Sequence, residues 1–319
     1  MDIPKKAMRD AFLSALIERM RENRKIFFLT ADFGSPVLDQ LGDMFPDRFI
    51  NVGIAEQNLI NVAAGLALEK FTVYAYAIAP FITMRCYEQI KVNLALMSQL
   101  KPMNVNLIGV GAGFSYAVSG PTHHSIEDIS IMRTLPNIEV LSPSDWVMAR
   151  DMVDFTLNCP GPKYLRLDSQ PTEAIYPHEG SSFNEQGFNS IGKGSGLCMI
   201  STGYMTFQAL ELRKILYSEG IGSELIDIFR LKNPDFPALA ETLSKHKLVI
   251  SMEEAFTGKG GLDSLLLNLK NDFDLSFKFK AVGIHDSYKF ELGSRNQLLE
   301  NYHAGLKSVL DIIRKFLSQ

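Results

Sequence analysis

The sequence is poor in cysteine, and the few cysteines that it has lie far apart. Cys86, Cys159 and Cys198 are the only three in 319 residues, and none of them forms a CxxC pair. A disulfide framework and a cysteine-based zinc site are both excluded, because each needs an even or closely spaced set of cysteines. We therefore expect three reduced, buried thiols.

The chain also lacks an excess of positive charge. Its 32 lysines and arginines are scattered among 36 acidic residues, and the formal net charge is -4 at pH 7. Proteins that bind nucleic acid usually carry a basic stripe or patch that neutralises phosphates. Nucleic acid is therefore not expected as a partner.

A long apolar run is absent from the beginning of the sequence. MDIPKKAMRDAFLSALIERMREN alternates charged and apolar residues with a helical period. A signal peptide needs an uninterrupted apolar core, and a membrane-spanning helix needs about 20 apolar residues in succession. We expect a cytoplasmic protein with no membrane partner.

What the sequence has is an alternation of strand-like and helix-like segments. Runs rich in β-branched or aromatic residues, such as KIFFLTAD and FTVYAYAI, alternate with helical patterns at 56–68, 81–96, 125–134 and 146–157. This order predicts an α/β fold with a doubly wound, mainly parallel sheet. Two helix starts are predicted from their capping residues, one at Ser125 with Asp128 and one at Ser144 with Asp145.

A change in composition predicts a boundary between two domains. The segment 178–190 is rich in Gly, Ser and Asn, and strand-like and helix-like segments alternate again after it. We predict a first domain at 1–177, a linker at 178–190 and a second, smaller α/β domain at 191–319.

Glycine-rich phosphate motifs are missing. The sequence contains no GxxxxGK[ST], and no GxGxxG opens a helix after a strand. GVGAGFS and GKGSG are interpreted as turns. The chain therefore has no evident diphosphate cradle of its own.

Two segments carry candidate functional residues. In RFINVGIAEQN, Glu56 lies in the first turn of a helix, where an acid can simply be a favourable partner for the helix dipole. In GFSYAVSGPTHHSIED, His123 and His124 lie in a Gly/Pro/Ser-rich turn and could bind a metal, act as acid and base, or only fill a loop. A metal site is disfavoured, because adjacent side chains diverge and no nearby cluster completes the ligand shell.

Taken together, several segments resemble the C-terminal section of the transketolase family. They are RFINVGIAEQN, APFITMRCYEQI, GPTHHSIEDISIMRTLPNIEVLSPSD and GPKYLRL. The similarity covers nearly the whole chain and extends to 1-deoxy-D-xylulose 5-phosphate synthase and to the beta chains of 2-oxo acid dehydrogenases. It implies a pyrimidine-binding domain, a C-terminal domain and thiamine diphosphate as the cofactor.

The resemblance assigns a cofactor site to five residues. Glu56 matches the catalytic glutamate that hydrogen-bonds the aminopyrimidine ring, and Phe81 matches the aromatic residue that stacks on this ring. Arg85 and Asp32 match family residues that order the site, and Ile54 is assigned to it as well. From composition alone, Phe81 could equally be a core residue, and Arg85 could lie on the surface or pair two helices.

The resemblance also assigns residues to the substrate. His123 matches the histidine of the family's DGxTHQ loop, and this histidine assists proton movements on substrate hydroxyls. His124 replaces the glutamine and is interpreted as a loop residue that also contacts substrate or partner. Ser119 replaces an aspartate that recognises a substrate hydroxyl, Ser169 replaces an arginine that binds the sugar phosphate, and Arg9 is the matching basic residue that is left. Losing bidentate arginine donors weakens a phosphate site, so we expect an atypical sugar or aldehyde substrate.

The family's GDG motif, which holds the diphosphate and its divalent metal in an N-terminal domain, does not occur in the chain. The resemblance therefore implies a partner subunit that carries this motif and Mg²⁺, in an α2β2 heterotetramer, with no metal ligand from this chain. The leading hypothesis is a two-carbon ketol transfer that needs both subunits. Decarboxylative acyl transfer from a 2-oxo acid and a non-catalytic assembly role are the alternatives.

Overall fold

A computed structural model describes residues 5–177 and 182–317 of the chain, which falls into two units. The first unit comprises Met1–Ala112 and Ile131–Phe183, and the second comprises Gly113–Ser130 and Asn184–Gln319. We call Gly113–Ser130, which carries both candidate histidines, the His loop. The contacts of the His loop thus lie with the second unit, whereas the sequence prediction placed it inside a contiguous first domain. The boundaries 1–177 and 191–319 stay a prediction.

The first unit is built on a six-stranded parallel sheet and a two-stranded antiparallel ribbon. Its strands are β1 (Lys6–Ala7), β2 (Ile26–Thr30), β3 (Phe49–Asn51), β4 (Thr72–Ile78), β5 (Asn104–Val110), β6 (Glu139–Leu141), β7 (Lys163–Leu167) and β8 (Pro171–Thr172). The sheet order is β3-β2-β4-β5-β7-β6, and β1 pairs with β8. The central strands β4 and β5 are buried almost throughout, which is why TVYAYAI and NVNLIGV are nearly continuous apolar runs. The predicted parallel sheet is confirmed.

Among the described residues up to 177, α-helices follow these strands. They are α1 (Met8–Glu22), α2 (Pro36–Met44), α3 (Glu56–Leu68), α4 (Tyr87–Gln89), α5 (Asp128–Thr134) and α6 (Trp146–Asn158). The last part of the His loop forms the start of α5. The helix predicted at 81–96 is divided, because wide π-helical turns at Phe81–Arg85 and Ile90–Leu96 flank α4. Single π-helical turns often occur at functional sites.

The two predicted helix caps have different outcomes. Asp145 caps α6, since its side chain accepts a hydrogen bond of 2.8 Å from the Met148 amide. The predicted cap at Ser125 is wrong: α5 begins only at Asp128, and Ser125 instead forms an antiparallel bridge with Gly113. Backbone pairing with a distant residue therefore replaces the local side-chain cap.

The second unit contains a five-stranded sheet of order β13-β12-β10-β11-β9. Its strands are β9 (Phe188–Ile191), β10 (Gly196–Ser201), β11 (Ser223–Ile228), β12 (His246–Phe256) and β13 (Lys278–Ile284). Its further helices are α7 (Met205–Ser218), α8 (Phe236–Leu243), α9 (Leu262–Asp272), α10 (Arg295–Asn301) and α11 (Leu306–Leu317). The strands are parallel except for β9, which pairs antiparallel with β11. The predicted second α/β domain is confirmed as a fold.

The predicted linker at 178–190 overlaps the edge strand β9. Residues 178–181 lie outside the described residues, and 188–190 belong to the strand. A run of Gly, Ser and Asn does not reveal pairing with a strand that comes more than 30 residues later in the sequence.

The three cysteines are unpaired. Cys86 and Cys198 are buried as predicted, whereas Cys159 is only half-buried. Within 5–177 and 182–317, no helix is both long and apolar enough to cross a membrane.

Candidate active site

Glu56 is the first residue of α3, at the carboxyl edge of the first sheet, where parallel sheets bind ligands. It follows β3 after a turn at Gly53, whose φ of 74° lies in the left-handed region that favours glycine. The Glu56 residue is only 5% exposed. A carboxyl group is thus held at a helix start and shielded from water.

Arg85 is the ion-pair partner of this buried carboxyl group. Its Nη1 atom donates a hydrogen bond of 2.9 Å to Glu56 Oε1. The guanidinium also lies over the Phe81 ring, 3.9 Å from its centroid, because the π-helical turn places the two residues on one side. A charge-assisted hydrogen bond offsets part of the cost of burying a carboxylate. Arg85 is also exposed, as the surface alternative predicted, and its role at the cofactor stays a prediction.

Asp32 is held close to the turn that precedes Glu56. It adopts a φ of 54°, which is uncommon outside glycine, and its carboxyl Oδ1 accepts a bond of 2.9 Å from Asn51 Nδ2. The Asn51 Oδ1 atom accepts from the Asp32 amide at 3.1 Å and from the Gly53 amide at 2.9 Å. Asn51 was missed by the sequence reasoning. Its position as a polar residue at the end of a strand, two residues before a glycine turn, was the available signal.

All five predicted cofactor residues line one cleft of about 220 Å³ in the first unit. The lining consists of Ala31, Asp32, Phe33, Ile54, Glu56, Ala77, Ile78, Phe81 and Arg85. Ile54 presents an apolar side chain that is 74% exposed, and Phe81 is half-buried. Apolar walls with an aromatic ring and one buried carboxyl group fit a flat heterocycle with a ring nitrogen that can share a proton. The residues present are therefore compatible with the aminopyrimidine of thiamine diphosphate.

Cys86 lies beside this cleft but is not a nucleophile there. Burial, followed by the charge of Glu56, raises the pKa of the Cys86 thiol to about 12. Its Sγ atom donates to the Ile82 carbonyl at 2.8 Å. The thiol therefore stays protonated near neutral pH, and only a thiolate is a good nucleophile.

Two predicted substrate residues lie where β7 ends. The backbone amide of Arg9 donates to the Asp168 carbonyl at 3.3 Å, which places the start of α1 next to Ser169. The Arg9 Nε atom donates to Asp10 Oδ1 at 2.8 Å. The adjacent carboxylate compensates part of the positive charge that Arg9 would offer to a phosphate.

His123 and Ser119 lie in the His loop, in the second unit. His123 is half-buried, and its Nδ1 atom is 3.0 Å from Thr122 Oγ1. Ser119 is exposed at the end of a 3₁₀ turn and donates its amide to the Tyr116 carbonyl at 2.9 Å. Both residues thus belong to the second unit, whereas the residues that line the Glu56 cleft belong to the first.

The placement of His124 does not support the predicted substrate contact. This residue is only 3% exposed, its Nε2 atom lies 3.3 Å from the Ala117 carbonyl, and its ring packs edge-on against Phe114 at 4.9 Å. His123 lies in a turn, closed by its amide bond of 3.0 Å to the Gly120 carbonyl, and stays half-buried, whereas the next residue, His124, enters the core. His124 is an anchor of the His loop.

Burial lowers the pKa of His124, although its bond to the Ala117 carbonyl and the charge of Glu254 act in the opposite direction. Below pH about 6.5, His124 binds a proton more readily in the unfolded chain than in the folded chain. The free energy of unfolding should therefore decrease as the pH drops through this value. We expect lower hydrogen-exchange protection factors in the His loop at pH 5.5 than at pH 7.5, and a smaller difference in His124→Gln. Equal protection at both pH values in the unchanged chain would contradict the anchoring role.

Comparisons with known proteins give matches over both units. Residues 4–173 match the family described as transketolase, pyrimidine binding domain, and residues 189–309 match transketolase, C-terminal domain. One of the subunits of the apulose-4-phosphate transketolase of Actinobacillus succinogenes is 31% identical over 268 residues, which cover 84% of each chain. The 6-deoxy-6-sulfo-D-fructose transketolase subunit SqwH of Clostridium sp. (strain MSTE9) is 28% identical over 95% of this chain and 92% of its own. A solved split-gene transketolase, described as an inactive β4 tetramer, superposes with a TM-score of 0.86 at 30% identity, over 98% of this chain and 99% of its own.

Proposed function

This chain belongs to the transketolase family, and we propose that it is one subunit of an enzyme that transfers a two-carbon ketol unit from a ketose to an aldehyde or sugar acceptor. The family implies thiamine diphosphate as the cofactor. The observation that carries the proposal is the cleft in which the buried Glu56 carboxyl group and the Phe81 ring lie together. A non-catalytic assembly subunit has no physical need for a buried carboxyl group that opens into a cleft.

Thiamine diphosphate supplies the carbanion chemistry when it is bound, and the protein supplies binding, orientation and electrostatics. In the proposed arrangement, Phe81 and Ile54 hold the pyrimidine ring through apolar contact. Glu56 holds a proton at a ring nitrogen. Arg85 balances the charge of Glu56, and Asn51 fixes Asp32 and the turn before Glu56. Each of these roles is proposed from the position of the side chain in the cleft.

His123 is the proposed acid and base for the substrate hydroxyls. An imidazole can both accept and donate a proton, and His123 remains partly accessible. His124, which is buried against Phe114, keeps the backbone of the loop in place instead.

The proposed substrate is an unusual sugar or aldehyde, and not a pentose phosphate bound in the usual way. Ser119 and Ser169 stand where the family has an aspartate and an arginine, and Arg9 has an adjacent carboxylate. The names of two relatives point to substrates outside the common pentose phosphates, namely apulose 4-phosphate and 6-deoxy-6-sulfo-D-fructose. Those substrates belong to the relatives, and they support the proposed substrate class only by analogy.

The proposed partner is a subunit that carries the diphosphate-binding GDG motif and holds Mg²⁺, in an α2β2 heterotetramer. Two relatives are themselves named as transketolase subunits, in agreement with a division of the enzyme between two chains. The chain itself has no GDG motif, and the described cleft offers a site for a ring but no Gly-rich diphosphate cradle.

Calorimetric titration checks this division. Thiamine diphosphate with Mg²⁺ should bind tightly to the reconstituted complex, and the affinity of the lone chain should be lower by at least about 100-fold, since most phosphate and metal contacts are missing. The control is the same titration without Mg²⁺, which should weaken binding to the complex and leave the lone chain unchanged. Tight, metal-dependent binding by the lone chain would show that the partner is not needed for the cofactor.

The function is tested by reconstituting the chain with its partner, thiamine diphosphate and Mg²⁺. Ketoses with aldehyde acceptors form one arm of the assay, and 2-oxo acids form the other. Ketol transfer supports the proposal. Carbon dioxide release from 2-oxo acids would support decarboxylative acyl transfer instead, and cofactor binding without turnover on either arm would support an assembly subunit.

A further inference from the structure

The His loop is built into the sheet and the core of the second unit. At its base, Gly113 and Ser125 form an antiparallel bridge, and the Phe256 amide at the end of β12 donates to the Ile126 carbonyl at 3.1 Å. Phe114 and Ile126 are buried members of the hydrophobic core of this unit. The position of the loop is therefore set by residues of the second unit.

Directly beneath the loop lies a buried ion pair. Glu254, on β12, is only 1% exposed, and Arg295, the first residue of α10, forms a bidentate pair with it. Arg295 Nε donates to Glu254 Oε1 at 2.7 Å, and Arg295 Nη2 donates to Glu254 Oε2 at 2.5 Å. The guanidinium is also stacked over the Tyr204 ring, 3.7 Å from its centroid. Two parallel bonds and a stacking contact give this pair one defined geometry.

Gly113 rests directly on this pair. Its φ is 55°, and a Cβ atom at this position would lie 2.7 Å from Glu254 Cβ and closer still to Glu254 Oε2. Real Cβ atoms do not come this close to their neighbours, so the Glu254 side chain occupies the space that a Cβ atom at position 113 would need. Glu254 also acts electrostatically on His124, the buried anchor of the loop. The first residue of the His loop is thus packed against Glu254.

We propose that Glu254 and Arg295 are positioning residues for His123, so that the C-terminal domain takes part in catalysis by setting the His loop. This inference rests on the proposed function, because the group that is positioned is the proposed acid and base. Neither residue needs to touch substrate. The pair acts through Gly113 at the base of the loop, and small displacements of a catalytic group can cost about 100-fold in rate.

Two variants disturb this contact from opposite sides. Glu254→Gln keeps the size of the side chain but removes the charge that holds Arg295, and Gly113→Ala pushes the loop away while the ion pair keeps both charges. Both should lower kcat of the reconstituted enzyme by at least about 10-fold, with little change in the dissociation constant for thiamine diphosphate, because the proposed cofactor cleft lies in the first unit. The matched control is Glu219→Gln, which removes one partner of an exposed ion pair with Arg314 in the same unit.

Hydrogen exchange of the lone chain provides a readout that does not depend on activity. In both variants, protection should fall in Gly113–Ser130 while β10 and β11 stay protected as in the unchanged chain. Unchanged loop protection and unchanged kcat in both variants would overturn the proposal. A uniform loss of protection across the second unit in both variants would also overturn it, since that result indicates a merely structural ion pair. If the unchanged enzyme shows no ketol transfer, the proposed function fails, but the exchange pattern still decides whether the pair sets the loop.

Discussion

Replacement of Glu56 by glutamine is expected to lower kcat of the reconstituted enzyme by about 100- to 10,000-fold, the range that a positioned acid or base contributes. Glutamine has nearly the same shape and can still accept the hydrogen bond from Arg85, so the cleft should keep its form. It cannot share a proton with a ring nitrogen as a carboxyl group does. The loss should therefore appear in kcat, with the dissociation constant for thiamine diphosphate changed much less.

The matched control for this substitution is Glu69→Gln. Glu69 is exposed and caps the opposite end of the same helix, α3. It should leave kcat within about twofold, because surface substitutions of this kind usually change stability by less than about 0.5 kcal/mol. If Glu56→Gln turned over like the control with the cofactor bound, the carboxyl group would have no catalytic role, and the assignment of the cleft would fail.

Replacement of His123 by alanine is expected to lower kcat/KM for the ketose by about 100-fold or more, because proton transfer to and from substrate hydroxyls loses its acid and base. Affinity for thiamine diphosphate should stay nearly unchanged, since the predicted cofactor residues line a cleft in the first unit. Steady-state kinetics and titration of the same preparation separate the two effects.

The control for His123 is His285→Ala, which makes the same change at an exposed position of the second unit. It should leave both quantities unchanged. A His123→Ala enzyme with unchanged kcat/KM across the pH range would remove His123 from the proposed chemistry and leave the Glu56 cleft as the only assigned part of the site.

Much of the fold could be predicted because the buried strands carry their own pattern. β4 and β5 are central and buried, so most of their residues are apolar, and α3 begins at Glu56 as predicted because Gly53 marks the turn. The edge strand β9 could not be predicted in the same way. Its residues pair on one side only, so their composition resembles that of a linker.

The candidate site residues could be proposed from the sequence because their residue types match a known family. The contacts between them could not, because they join residues that are far apart in the sequence. The residues assigned to the cofactor by resemblance all line one cleft. The bond between Arg85 and Glu56 joins residues 29 positions apart in sequence, and Glu254 and Arg295 are 41 residues apart. The burial of His124 beside the accessible His123 likewise follows from the core of the second unit.

The central claim is that a two-carbon unit passes intact from donor to acceptor, and one labelling experiment tests it directly. The reconstituted enzyme is incubated with a ketose that carries carbon-13 at C1 and C2 and with an unlabelled aldehyde, and the products are followed by carbon-13 NMR. Ketol transfer predicts a new ketose in which the two labelled carbons are still bonded to each other, seen from their mutual coupling, and predicts that Glu56→Gln abolishes the signal. A parallel incubation with labelled pyruvate, which has no hydroxyl group at C3 and cannot supply a ketol unit, should release no labelled carbon dioxide. Release of carbon dioxide there, with no coupled pair in any new ketose, would contradict the account.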